Sequence, residues 1–371
     1  MYFVAHKFLA SHMTTSTGAC SVVSTIFKPC PNDWISENGT CYEDSCCTSY
    51  VTARSWYYRL AQLSHVVFSC FALIVIPVYT WRYSSKHMLP ENVRVLINIM
   101  LLLMFAHSID MILIHTYHIY QSFLVVASNP CFVRVQVSFC ALYRYTYSFC
   151  TLGLTTCQYC LYIDRLLCAF YRHYVRRQKT IRNLLLFKCV ATTGLVVAWV
   201  YREEDSDSYL LSCLNIPLAS MVDLSLVTAA VFPINLICFF LSITMFRHFK
   251  KKEDRSRFDI NVHFTAAVDV ESSEFLYYVT RTQAIFIVLY PILIMSVRFF
   301  YEITPRPLHL TLATLGYVFD IYTFAVPLVM IDYSKKTTGN RKEKIWKQVK
   351  LKSVGKEGAD HYFGMIKSQW E

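Results

Sequence analysis

The stretch YCLYIDRLLCAFYRHYVRRQK, Tyr159 to Lys179, runs from an apolar, tyrosine-rich segment through an adjacent acid–base pair, Asp164–Arg165, into a basic segment with no acid. A helix of a water-soluble core does not usually end this way, and a nucleic-acid-binding arm does not begin inside an apolar run. What the pair means depends on the solvent for which the rest of the chain is built. Residues of the set AVILMFWYC make up 55% of the 371, charged residues 16%, and mean hydropathy is +0.35. A soluble chain carries about 25% charged residues. Here the charges are segregated, leaving uncharged stretches of about twenty residues, the helix length that crosses about 30 Å of hydrocarbon. The composition therefore predicts an all-α membrane protein. The net charge of +11 sits mostly between apolar runs and in the tail. That is the pattern of basic loops retained on the cytosolic side, not of a nucleic-acid partner.

Seven spans are expected, at about 60–82, 93–117, 135–164, 184–201, 221–246, 275–300 and 308–331. Pro233, Pro291 and Pro327 fall inside the last three, where neighbouring helices and hydroxyl side chains can satisfy the freed carbonyls. They form a seven-helix bundle preceded by a cysteine-rich segment, 1–59, and followed by a basic tail, 332–371. The Lys/Arg distribution orients it. The loop after span three holds Arg172, Arg176, Arg177, Lys179 and Arg182, and the loop after span five runs RHFKKKEDRSR. Across the bundle the fourth–fifth connection is acidic, with Glu203, Glu204, Asp205 and Asp207. Basic loops stay inside, so the amino terminus is expected outside and the carboxyl terminus inside.

Cysteines fit that orientation. Cys20, Cys30, Cys41, Cys46, Cys47, Cys131, Cys140 and Cys213 fall on the expected outer side, where disulfides form. Asn38-Gly39-Thr40 is a glycosylation sequon on the same side. Cys140 lies 25 positions before Arg165, about 37 Å of helix, which puts a cysteine at the outer mouth and the charge pair at the inner one. A Cys140–Cys213 disulfide would tie the outer loop to the top of span three and roof a cavity. Span length favours Cys140, with Cys131 the alternative partner. At the inner mouth two readings stand side by side. Asp164 can neutralise Arg165 in a breakable latch, or Arg165 can simply reach out to lipid headgroups.

Within the spans His107, Asp110 and Arg144 are the polar candidates. Charges at mid-bilayer cost roughly 2.5–3.5 kcal/mol on insertion scales, so Asp110 and Arg144 should face the interior and could pair with each other. After span seven, KEKIWKQVKL (Lys342–Leu351) reads as a basic amphipathic helix able to lie on anionic lipid. No zincin, Walker, G-x-S-x-G or dinucleotide motif is present, so neither an enzyme nor a bound metal or cofactor is expected.

Short stretches then recur in a familiar order: HMLP (His87–Pro90), NPC (Asn129–Cys131), IDRLLC (Ile163–Cys168), SCLNIP (Ser212–Pro217), VTRTQ (Val279–Gln283) and IKSQWE (Ile366–Glu371). With seven spans, an outer amino terminus and the Cys140-to-Arg165 spacing, they resemble G-protein-coupled receptors. More narrowly, the chain resembles nematode chemoreceptors of the serpentine receptor class alpha (Sra) family. The resemblance implies a chemosensory receptor for a small molecule that activates a heterotrimeric G protein, with Asp164–Arg165 and the basic residues Arg172, Arg176 and Arg177 at the coupling face. The chain departs from rhodopsin-like receptors at Leu166, which replaces an aromatic. It departs again at LYP (Leu289–Pro291), in place of C-W-x-P, and at VPLVMIDY (Val326–Tyr333), in place of N-P-x-x-Y. The competing reading is a ligand-gated cation channel or small-solute transporter. A transporter would often show two similar halves, and none is visible. An insect-type odorant channel would have its amino terminus inside.

Overall fold

The computed structural model describes residues 43–84, 89–125, 130–171, 173–255, 260–300, 303–353, 359–360 and 363. Asn38, Arg172, Cys20, Cys30 and Cys41 lie outside the described residues. The helices are α1 (Glu43–Arg54), α2 (Trp56–Arg82), α3 (Glu91–Leu124), α4 (Val137–Phe170), α5 (Tyr174–Val200), α6 (Leu218–Arg255), α7 (Ile260–Phe299), α8 (Arg306–Leu315) and α9 (Phe319–Ser353). Their apolar runs favour this form because a helix satisfies its own backbone where water is absent. Among the described residues α2, α3, α5, α6, α7 and the α8–α9 unit are long and apolar enough to cross a membrane. The remaining long helix, α4, carries Arg144, Ser148, Thr155, Gln158, Asp164 and Arg165 as buried residues. It tolerates them because it packs against α3, α5 and α6, which take the place of lipid around it.

The chain closes into a ring, α2 on α3, α3 on α4, α4 on α5 and α6, α6 on α7, and α9 on both α7 and α2. Lipid tails are as apolar as leucine, so close approach and hydrogen bonds hold such helices together. Gly153 shows the close approach: an added Cβ there would meet Leu103 Cδ1 at 3.0 Å and Thr193 Cγ2 at 3.7 Å. Thiols add polar stitches. Cys157 Sγ donates to the Leu96 carbonyl at 3.2 Å and Cys160 Sγ to the Leu185 carbonyl at 3.3 Å, joining α4 to α3 and α5.

Several features differ from the expected layout. The segment before the first span contains α1, which packs against α8 and the short 3-10 turn Pro130–Val133. Cys46 of α1 is bonded to Cys131, so Cys131 is not the partner of Cys213. The seventh span is broken between α8 and α9. Gly316 sits at the break, where a Cβ would come within 2.9 Å of Ile294 Cδ1 and 3.2 Å of the Ala313 carbonyl. Past residue 331 the tail does not turn to form a separate surface helix; α9 continues to Ser353. Helices also outrun the apolar stretches by one to several turns, most clearly α7, which begins at Ile260 where a span was expected from 275. Hydropathy marks the hydrocarbon, not the helix end.

Candidate functional site

At the end of the bundle carrying the basic loops, Asp164 and Arg165 are buried, at 0% and 1% exposure. Arg165 therefore does not reach outward to headgroups. Its Nη2 donates to Asp164 Oδ2 at 2.7 Å and its Nε to the same oxygen at 3.2 Å. Nη1 crosses to α7, to Ser272 Oγ at 3.1 Å and Asp269 Oδ1 at 3.5 Å. The other Asp164 oxygen accepts from the Tyr174 hydroxyl at 2.8 Å and from Asn92 Nδ2 at 2.9 Å. One carboxylate and one guanidinium thus join α3, α4, α5 and α7. A buried arginine needs such saturation, because each unmet donor or charge is expensive where water is excluded. Asp269 also faces Lys252 of α6, 3.9 Å away. Arg176 and Arg177 are exposed on the first turn of α5 beside this network.

Asn92, Tyr174, Asp269 and Ser272 were not singled out from the sequence. Asp269 precedes the expected sixth span, where an acid reads as loop chemistry. Asp269 and Ser272 are three apart, which places both on one helix face once α7 is known to extend that far.

The opposite end is cross-linked. Cys140 is bonded to Cys213, with Cα atoms 4.9 Å apart. Beside it Val135–Gln136 pairs antiparallel with Tyr209–Leu210, in the register Val135↔Leu210. His118 Nε2 accepts from the Cys213 backbone N–H at 3.0 Å. The fourth–fifth connection is thereby pinned down over the bundle mouth.

Beneath it lies an open cleft that leaves about 90 Å³ for the centres of water-sized molecules. Tyr147, Thr151, Val231, Tyr290 and Tyr317 are among its walls, with Arg144 at the polar end. Arg144 pairs with Glu204 of the overlying connection. Glu204 Oε2 also accepts from the Tyr145 hydroxyl at 2.6 Å, and the Tyr201 ring lies 5.6 Å from the guanidinium carbon. The expected Asp110–Arg144 pair does not form. Arg144 lies one turn below Cys140, close enough for the pinned loop to deliver Glu204, an acid that sequence reading assigns to solvent. Asp110 and His107 are buried on α3 toward α9, where His107 Nδ1 is 3.6 Å from Asp320 Oδ1.

A seven-helix bundle with a roofed cleft at one end and a buried arginine at the other fits the seven-transmembrane receptor class, which the family match then shows. Residues 41–370 match the family described as Serpentine type 7TM GPCR chemoreceptor Sra, and the chain belongs to that family. It is 57% identical, over 98% of its length and all of the relative's, to serpentine receptor class beta-18 of Caenorhabditis elegans. Serpentine receptor class beta-17 of the same organism is 24% identical over 85% of this chain and 87% of its own. Serpentine receptor class alpha-2, also from that organism, is 23% identical over 86% and 93%. The chain is a multi-pass membrane chemoreceptor, and its relatives carry both class alpha and class beta names.

Proposed function

We propose that a small, mainly apolar environmental molecule with one hydrogen-bonding or anionic group enters the cavity and competes with Glu204 for Arg144. The walls are aromatic and aliphatic, so shape and dispersion select the body of the ligand. Among the described wall residues Arg144 is the charged one, and its guanidinium offers five donors in a rigid fork to orient the ligand. Because α4, α6 and α7 all contribute walls, a ligand that prefers one spacing of these helices shifts the population of that spacing. A ligand with equal affinity for both spacings would do nothing.

The signal is read at Arg165. In the resting arrangement its guanidinium ties α4 to α7 through Asp269 and Ser272. When those helices part, Arg165 keeps Asp164 and loses Asp269, and its freed N–H groups face the opening. Together with Arg176, Arg177 and Arg172, they meet a heterotrimeric G protein. This places the amino terminus, 1–59 and the Cys213 loop outside, and the tail 332–371 inside. The observation that carries the reading is the buried Arg165 bridging α4 and α7 at the basic end.

The test is nucleotide exchange on co-expressed G proteins, with and without members of an odorant panel. Arg165→Ala should abolish evoked exchange while surface expression persists. Evoked exchange at wild-type level in that variant would remove Arg165 from the coupling role.

A further inference from the structure

Four ionisable side chains inside the bundle take no part in the cavity or in the Arg165 network. They lie toward the disulfide end, where α2, α3 and α9 meet. His65 of α2 stacks on His115 of α3, with ring centroids 4.7 Å apart and planes 9° from parallel. Asp320, in the first turn of α9, is fully buried beside them. Its Oδ2 touches His65 Nδ1, and its Oδ1 is 3.6 Å from His107 Nδ1. One ligand atom each from His65, His115 and Asp320 lie within 4.8 Å of one another.

The hydrogen-bond pattern does not close. His65 Nε2 lies 3.0 Å from the Thr314 carbonyl, an oxygen that can only accept, so Nε2 carries the proton. Nδ1 then meets the Asp320 carboxylate either as the second N–H of an imidazolium or, in the neutral ring, as a lone pair that needs a cation between them. His115 is fully buried, and neither of its nitrogens has a hydrogen-bond partner; Asp320 Oδ1 is likewise without one. Leaving each such group unmet costs roughly 1–3 kcal/mol. A cation between the lone pair of His65, one nitrogen of His115 and the carboxylate gives each of the three residues a partner.

We infer that His65, His115 and Asp320 hold a divalent transition-metal ion, with zinc the best match to two imidazoles and one carboxylate. The Thr314 carbonyl fixes the tautomer of His65, the outer partner that metal-bound histidines usually have. A tetrahedral zinc site needs its donors about 3.3 Å apart, from bond lengths near 2.0–2.1 Å. Loading the ion moves the Asp320 carboxylate off His65 Nδ1, which it touches, and turns the His115 ring, which makes no hydrogen bond. The fourth position stays open to water. The three ligands come from three different helices, so no spacing in the chain marks them, and sequence reading expected no metal. Phe319, next to Asp320, lines the ligand cavity, and His107 packs against the cavity residue Tyr147 with ring centroids 5.3 Å apart. The ion therefore braces the cavity wall and clamps α9 to α2 and α3.

The full chain, purified in nanodiscs, is stripped with EDTA, incubated with zinc chloride, desalted and assayed for zinc and for melting temperature. Wild type should retain about one zinc per chain, with a rise in Tm on adding zinc. His115→Ala and Asp320→Asn should lose both the bound zinc and the Tm rise. His248→Ala, at an exposed position on α6, should keep both. His115→Gln, which retains bulk, covers the case in which the alanine variant fails to fold, and should also lose both. Wild type without stoichiometric zinc would overturn the assignment. So would a folded His115 variant that retains zinc as wild type does.

Discussion

The two ends of this bundle are held by different kinds of bond. At one end Cys140–Cys213 and Cys46–Cys131 lock loops onto helices covalently. At the other, Arg165, Asp164, Asp269, Asn92 and Tyr174 join four helices through hydrogen bonds and charge alone. A covalent roof keeps its shape over the cleft, whereas an ionic network can exchange partners, since Arg165 holds Asp164 and Asp269 through different N–H groups. In the proposed reading, recognition falls to the covalently held end and rearrangement to the breakable one.

The largest break of that contrast is at the roof. Cys213→Ser opens a disulfide whose cysteines are 73 residues apart in the chain, and losing such a link costs roughly 2–5 kcal/mol. Surface expression and Tm of the purified chain should fall sharply. Next comes Arg165→Lys, which preserves charge but cannot reach Asp164, Asp269 and Ser272 together. A buried pair that loses a partner costs about 3–5 kcal/mol, and retaining the charge should reduce this by about half. Thermal unfolding should show a lower Tm, with evoked G-protein exchange weakened.

Asp269→Asn acts on the balance rather than on the fold. It removes one charge from the α4–α7 tie, worth about 1–2 kcal/mol, so the open population should rise roughly 5- to 30-fold. Higher ligand-free nucleotide exchange is the readout. Glu204→Gln should shift ligand potency by about tenfold, equivalent to 1.4 kcal/mol; a dose–response curve would show it. Smallest is Arg182→Ala. Its pair with Glu91 lies at the surface, where such bridges contribute at most about 1 kcal/mol, and Tm should barely move.

The fold was largely legible because the bilayer leaves a strong mark: charges concentrate between apolar runs of helical length, and those runs became the helices. The charge pair Asp164–Arg165 was legible for the same reason, since two ionisable residues at the end of an apolar run demand an explanation. What escaped were contacts made by side chains far apart in the chain. Glu204 reads as solvent-facing until the Cys213 loop is seen pressed into the mouth. Asp269 reads as a loop acid until α7 is seen to begin at Ile260. The break at Gly316 left no mark in hydropathy, because both halves of the seventh span are apolar. His65 and Asp320 were single polar residues in apolar runs, and only the packing of α2 on α9 brings them together.

One measurement addresses the breakable end directly. Cys168 Sγ is 3.6 Å from Asp269 Oδ1, so Asp269→Cys places a second thiol on α7 opposite the native thiol on α4. With the disulfide formed by oxidant and verified by mass spectrometry, ligand-free G-protein nucleotide exchange should fall to background. A reductant should restore it to the raised level of the charge-free variant. Equal exchange in the cross-linked and reduced forms would show that α4 and α7 need not separate, and would contradict the account.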